Sequence, residues 1–390
     1  MSKIKNLTLI LLSIIFSCLV IYILFILYNF INYKNIENKF FLNQEILEFH
    51  KKYSSQLHHT RTTDSGKIIE LLNNNHSIPL DELNMSFNKK IKDKNELLYN
   101  VINFSNSDNS ILIQGDSWAE QFNFYLDSFN RLKNFAEDNN YKVINAGISS
   151  FSPSLMNVQF KILESDFKIK PKYVVAYIDQ TDVGDELCRY KNNKVFDDTD
   201  RLLLVRPDIH EFPIQWKMTE LNFSKDNKFT KSFELTNFYF NQYFSKATNK
   251  ILKYFNKGIN YCTYDQIQSY LIKNKKEDIS YFRSSLELYI NTLLKRNYID
   301  KIILISFPHK QHFNNDKEYG EIEYKFNVSD LIQEISYLNK KIININFSKE
   351  ILASNITIKD LWIDNDISSH IKPVYHDRLI TKRILEEIQR

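Results

Sequence analysis

The chain has 390 residues, 43% of them hydrophobic and 25% charged, with a formal net charge of +4. That length holds one large or two modest domains, and that balance is of a folded chain rather than a disordered one. Lysine and glutamate are interspersed, which argues against a nucleic-acid surface, and three cysteines are too few for a disulfide scaffold.

Residues 1–35 read as a transmembrane anchor. From Leu7 to Ile31 the chain carries no charge, and about 25 apolar residues suffice to cross a bilayer with some tilt. A secretory signal has a shorter apolar region and a small-residue cleavage site, which this stretch lacks. Ile15-Phe16-Ser17-Cys18 resembles a lipoprotein processing site only faintly, because Phe16 fits poorly and the apolar run continues well past Cys18. Lys3 and Lys5 favour a cytoplasmic amino terminus. The expectation is a single-pass cell-membrane protein whose remaining chain is periplasmic or otherwise extracytoplasmic. Cys188 and Cys262 are then either one bridge or two buried thiols.

Residues 36–105 are polar and mostly helical in pattern, and read as a stalk or lid. Phe40-Phe41, Ile46-Leu47 and Ile68-Ile69 suggest short amphipathic helices. His58-His59 and the Thr-Arg-Thr-Thr stretch after them read as loop, the histidines solvated.

From residue 106 to 390 the pattern changes to strands alternating with helices. Ile111–Asp116, Lys142–Gly147, Tyr173–Ile178, Lys301–Phe307 and Ile342–Phe347 are short, apolar and rich in Val and Ile. Such runs are expected where helices cover both faces of a parallel sheet. Helical segments fall at about 119–135, 154–167, 279–295, 328–338 and 373–389. The class is α/β, a three-layer doubly wound parallel sheet. Residues 188–278 interrupt it as an insertion, read as mainly helical and rich in aromatic residues, because a structureless loop of that length is rare.

The chemistry begins at Gly115-Asp116-Ser117, where an apolar strand stops abruptly and a helix follows. A hydroxyl at that turn sits at the carboxyl edge of the sheet beside unsatisfied N–H groups of a helix start, the edge where open α/β sheets hold ligands. Ser117 is therefore the candidate nucleophile. A base is expected in a loop beyond the last strand, and Asp364-Asn365-Asp366-Ile367-Ser368-Ser369-His370 supplies one. Asp366 and His370 form the natural pair, the carboxylate orienting the imidazole, with Asp364 as the alternate acid. His376 lies in the following helix and reads as structural, while His309 and His312 read as loop histidines. Oxyanion donors are expected from the backbone N–H of Ser117 and of Gly147. A third would come from a side chain of Gln180 or Thr181, after the third strand.

These residues carry a resemblance. The chain from about 110 to 390 is similar to the SGNH/GDSL hydrolase family, in which Gly-Asp-Ser, a Gly, Gly-x-Asn-Asp and Asp-x-x-His occur in this order. Gly115-Asp116-Ser117 and Gly147 match the first two blocks. In the third, Asp179 replaces the family's Gly and Thr181 its oxyanion Asn, while Asp182 keeps its place and is read as substrate-binding. Asp366 and His370 match the last block with one extra residue between them. The resemblance implies a flavodoxin-like strand order and a serine esterase or O-acyltransferase that needs no metal or nucleotide cofactor. It also implies a carbohydrate ester as partner, O-acetyl groups of a bacterial surface polysaccharide by analogy with membrane-attached members. The alternative is a catalytically inactive SGNH-like domain that binds glycan or a membrane acyltransferase partner.

Overall fold

In the computed structural model the described residues are 2–37, 44–61, 93–103, 109–207, 224–254, 276–308, 327–354, 356–363 and 370–390, with Ser107, Lys217, Leu221 and Cys262. They divide into two compact units. The first takes in Met1–Phe49 and Ile209–Tyr261; the second takes in His50–Asp208 and Cys262–Arg390.

In the first unit, helix α1 (Ser2–Glu37) is long and apolar enough to cross a membrane. It leaves Leu24, Phe25, Tyr28 and Ile31 uncovered. Tyr33 and the buried Asn29, which donates to Thr236 Oγ1 at 2.9 Å, meet a long helix spanning Lys228–Tyr254.

The second unit holds a six-stranded sheet. Its strands are β1 (Asn100–Asn103), β2 (Ser110–Gln114), β3 (Lys142–Asn145), β4 (Tyr173–Asp179), β7 (Lys301–Phe307) and β8 (Ile342–Asn346), in the order β1-β3-β2-β4-β7-β8. All neighbours are parallel except β1 with β3. Every residue of β2 and β4 is buried, which explains their unbroken apolar runs: both faces are covered, so no alternation is written into them. On one face Ile111, Ile113, Val143, Val175, Ile303 and Ile345 pack with the helices Leu126–Asp138, Phe347–Ala353 and Lys382–Gln389. Successive strand residues point to opposite faces, so Leu112, Ile144, Val174, Ile302 and Leu304, all fully buried or nearly so, face the other way. This is the three-layer doubly wound arrangement expected from the alternation.

Two expectations change, and a third, the mainly helical insertion, gains a hairpin. Strand β1 adds an antiparallel edge inside the span read as stalk or lid; its polar Asn100 and Asn103 hide it from a hydrophobicity pattern. The insertion is not only helical: a π-helical turn (Asp185–Tyr190) leads into a hairpin of β5 (Lys194–Phe196) and β6 (Leu202–Val205). His58 is not solvated, and His59 is only partly exposed. His58 is 5% exposed and burial holds its pKa down at about 2; His59 Nε2–H donates to Ser149 O, 2.9 Å away, and burial lowers its pKa to about 4. Leu57 beside them forms a bridge with Val205, which brings this segment onto the hairpin.

Cys188 and Cys262 form a disulfide, and Cys18 on α1 is a free thiol. Glu186, fully buried, ties the insertion to the sheet. Its carboxylate accepts from Ser152 Oγ, Ser154 N and Ser154 Oγ at the start of the helix Pro153–Asp166, and pairs with Lys194 at 2.6 Å. A carboxylate there also meets the positive end of the helix dipole.

Candidate active site

The turn after β2 requires its glycine. Gly115 has φ +144°, and a Cβ would lie 2.7 Å from Tyr177 Cβ. Asp116 caps the helical turn Ser117–Glu120, its side chain accepting from Trp118 N–H at 2.9 Å. Ser117 is thereby the first residue of a helix start, where backbone donors have no intrahelical acceptor.

His370 reaches it from the far end of the sequence. Ser117 Oγ and His370 Nε2 are 2.7 Å apart, within proton-transfer reach. The main chain on both sides of the histidine is fixed. Ile363 N–H donates to His370 O and Lys372 N–H to Leu361 O, both at 2.9 Å, while Tyr125 Oη donates to Ile371 O at 2.8 Å. The imidazole packs against the Trp118 ring, centroids 5.1 Å apart. Both Ser117 and His370 keep partial exposure while Trp118 is 1% exposed. The pair therefore opens outward from a closed aromatic floor of Trp118, Phe307 and Trp362. Asp364 and Asp366, and also His309 and His312, lie outside the described residues. His376 is fully buried with Nδ1 2.8 Å from Ser128 Oγ, and burial lowers its pKa to about 3. Its place is structural.

Three of the expected oxyanion residues, Gly147, Thr181 and Gln180, already hold an internal hydrogen bond. Gly147 N–H donates to Asn145 Oδ1 at 2.8 Å. Thr181 Oγ1 donates to both oxygens of Asp179 at 2.8 Å. Gln180 Oε1 accepts from Val328 N–H at 3.0 Å. Gly147 has a steric role as well: a Cβ there would lie 2.4 Å from Glu120 N and 2.6 Å from Ala119 C, so only glycine lets this loop sit on the nucleophile's helix.

Under Ser117 lies a buried group of three carboxylates, Asp116, Asp179 and Asp182, with oxygens within 4.8 Å of one another. Asp179, the residue standing in the family's Gly place, accepts from Trp118 Nε1 at 3.2 Å and from Asp182 N–H at 2.8 Å. Asp182 Oδ2 accepts from Asp179 N–H in return, so Asp182 is buried in this lattice. Burial, and then the charge of the neighbouring acids, raises the pKa of Asp116 and Asp182 well above the usual carboxylate range. Burial and mutual repulsion therefore favour the protonated forms within the group. The group is also the set of described residues whose spacing a single cation would suit.

Four contributors escaped the sequence reading. Arg61 pairs with Glu120 at 3.0 Å. Asn145 also donates from Nδ2 to Ala119 O at 3.0 Å. His59 holds Ser149 O, and Trp118 forms the floor under His370. Glu120 had a faint signal, its i+3 spacing from Ser117 on one helix face.

No known family model matches the chain, and no curated protein matches it. Among solved structures, a catalytic mutant of Axe2, an acetylxylan esterase from Geobacillus stearothermophilus, matches at 14% identity, over 73% of this chain and 95% of its own, with a TM-score of 0.36. A second Axe2 mutant from the same genus, described as an acetyl-xylooligosaccharide esterase, matches at 14% identity with the same coverage and a TM-score of 0.35. At that distance the likeness carries no chemistry, which rests on the residues themselves.

Proposed function

We propose that this protein is a membrane-anchored serine esterase or O-acyltransferase acting on ester groups, O-acetyl above all, of a surface carbohydrate. The observation that carries the reading is the 2.7 Å contact between Ser117 Oγ and His370 Nε2 at the carboxyl edge of the sheet. His370 takes the hydroxyl proton as Ser117 attacks the ester carbonyl; the imidazolium then protonates the departing alcohol. Asp366 is the proposed orienting acid, and the backbone N–H of Ser117 is the proposed donor from this turn to the developing oxyanion. Water or an acceptor hydroxyl then takes the acyl group from Ser117. The N-terminal apolar helix supports the anchor. The Cys188–Cys262 bridge supports an extracytoplasmic placement, because disulfides persist in oxidising compartments.

A second reading is supported by a different observation. Gly147 N–H and Thr181 Oγ1 are bonded internally, as expected of an idle domain that binds glycan or a membrane acyltransferase partner. Turnover of 4-nitrophenyl acetate by the full chain in detergent separates the two. Ser117→Ala and His370→Ala are expected to lower kcat by about a hundredfold or more, and rates equal to wild type would refute catalysis. Adding an oligosaccharide acceptor and following acetyl-sugar formation distinguishes transfer from hydrolysis.

A further inference from the structure

The segment read as stalk or lid reaches the site. Arg61 lies in the second unit with the sheet, and its side chain is 8% exposed. Its guanidinium pairs with Glu120 Oε1 at 3.0 Å, and it donates to Gly147 O at 2.5 Å and to Glu96 O at 2.7 Å. Glu120 closes the turn that begins at Ser117, and its other oxygen accepts from Ser149 N–H at 3.2 Å. One planar fork therefore fastens the loop after β3 to the helix that carries the nucleophile. The rest of that loop is held in the same way: Ile148 N–H by Gly115 O at 3.0 Å, Ser149 O by His59, and Ser150 O by Tyr190 Oη at 2.7 Å.

Resting on the esterase reading, we infer that Arg61 is a positioning residue for the Ser117–His370 pair. It sets the Gly147–Ser149 main chain against the nucleophile's turn and balances the charge of Glu120, whose carboxylate senses His370. A guanidinium is suited to this because it presents several donors in one plane and stays charged when buried. A lysine keeps the charge and loses the fork. The segment from His50 to Arg61 thus belongs to the catalytic structure, whatever else the preceding chain does.

The test uses the full chain in detergent with 4-nitrophenyl acetate. Arg61→Ala is expected to lower kcat more than tenfold with KM changed less than threefold, and Arg61→Lys to recover part of the loss. Adding Glu120→Gln to Arg61→Ala is expected to raise kcat at least threefold again, because the unbalanced carboxylate is gone. Among the described residues the charged or titratable groups around this point are Arg61, Glu96, Glu120, His59, His370 and the buried His376. With Arg61 removed, the Glu120 carboxylate favours the imidazolium of His370, so the acid limb of kcat moves to higher pH, a change that loosened packing alone does not produce. If Arg61→Ala does not fold, Arg61→Lys is read instead, with a kcat loss of at least threefold expected. Wild-type kcat in the folded Arg61 variant, or a loss that neither Lys nor Glu120→Gln eases, overturns the inference. Ser117→Ala is run beside them: if it keeps full rate the esterase reading itself fails, whereas if it is inactive and the Arg61 variant is not impaired, only this inference fails.

Discussion

Replacing Asp182 with Asn isolates the energetics of the carboxylate group beneath the nucleophile. Two ionised oxygens within 4.8 Å of each other repel by roughly 3.5 kcal/mol or more at an effective dielectric constant of about 20. The folded state avoids this by keeping protons, as the raised pKa values of Asp116 and Asp182 indicate. An acid whose pKa is raised on folding stabilises the fold fully below its unfolded pKa, and that contribution is lost as pH rises toward the folded value. Wild type should therefore lose stability as pH rises above the ordinary carboxylate range. In Asp182→Asn the amide oxygen can still accept from Asp179 N–H, and the amide nitrogen donates where a shared proton otherwise sits. The variant should show a flatter pH dependence and exceed wild type by about 1–3 kcal/mol near pH 8. Urea unfolding between pH 5 and 9, followed by the fluorescence of the buried Trp118 and Trp362, measures it. An unchanged pH slope, with the variant weaker than wild type throughout, would refute the reasoning.

Three further outcomes follow from other contacts. Glu186→Gln leaves Lys194 buried without its counter-charge and should cost about 3–5 kcal/mol in urea unfolding; adding Lys194→Met should return part of that, and a cost below about 1 kcal/mol would show that the clamp is not needed. Gly147→Ala places a Cβ 2.4 Å from Glu120 N and should cost about 1–3 kcal/mol or more together with most of the ester turnover; unchanged thermal unfolding and turnover would refute the steric argument. Cys188→Ser opens a loop closed over 74 residues and should lower stability by about 4.4 kcal/mol on the chain-entropy estimate, read as the shift between wild type and variant without reductant; identical unfolding curves would count against it.

The parts of the fold written in the sequence are those that local pattern can carry. The central strands β2, β4 and β7 announce themselves by runs of consecutive apolar residues (Ile111–Ile113, Tyr173–Ile178 and Ile302–Ile305), since burial on both faces removes the polar–apolar alternation. Ser117 was legible because a strand, a glycine that only a positive φ explains, and a helix start fall within a few residues. His370 was legible from its place before the last helix. Arg61 was not, because nothing around it distinguishes an arginine that will sit in a buried fork from one in a solvated loop; its partners lie at Glu96, Glu120 and Gly147. The state of the oxyanion donors was equally hidden. Gly147 stands at the right strand end, but that its N–H turns to Asn145 two residues back is a matter of side-chain geometry. Strand β1 was missed for a simpler reason: at this edge Asn100 stays partly exposed and the buried Asn103 is satisfied by Tyr141 O, so the strand carries no apolar run.

The bridge between Leu57 and Val205 has a practical corollary for anyone wishing to cut this polypeptide. Trimming at the first conspicuous apolar strand, near residue 110, would strip a neighbour from the β5–β6 ribbon and leave Glu120 sealed in without its cation. A usable fragment has to start no later than about His50, where the second unit begins, and shorter versions should be expected to come out of cells as insoluble material.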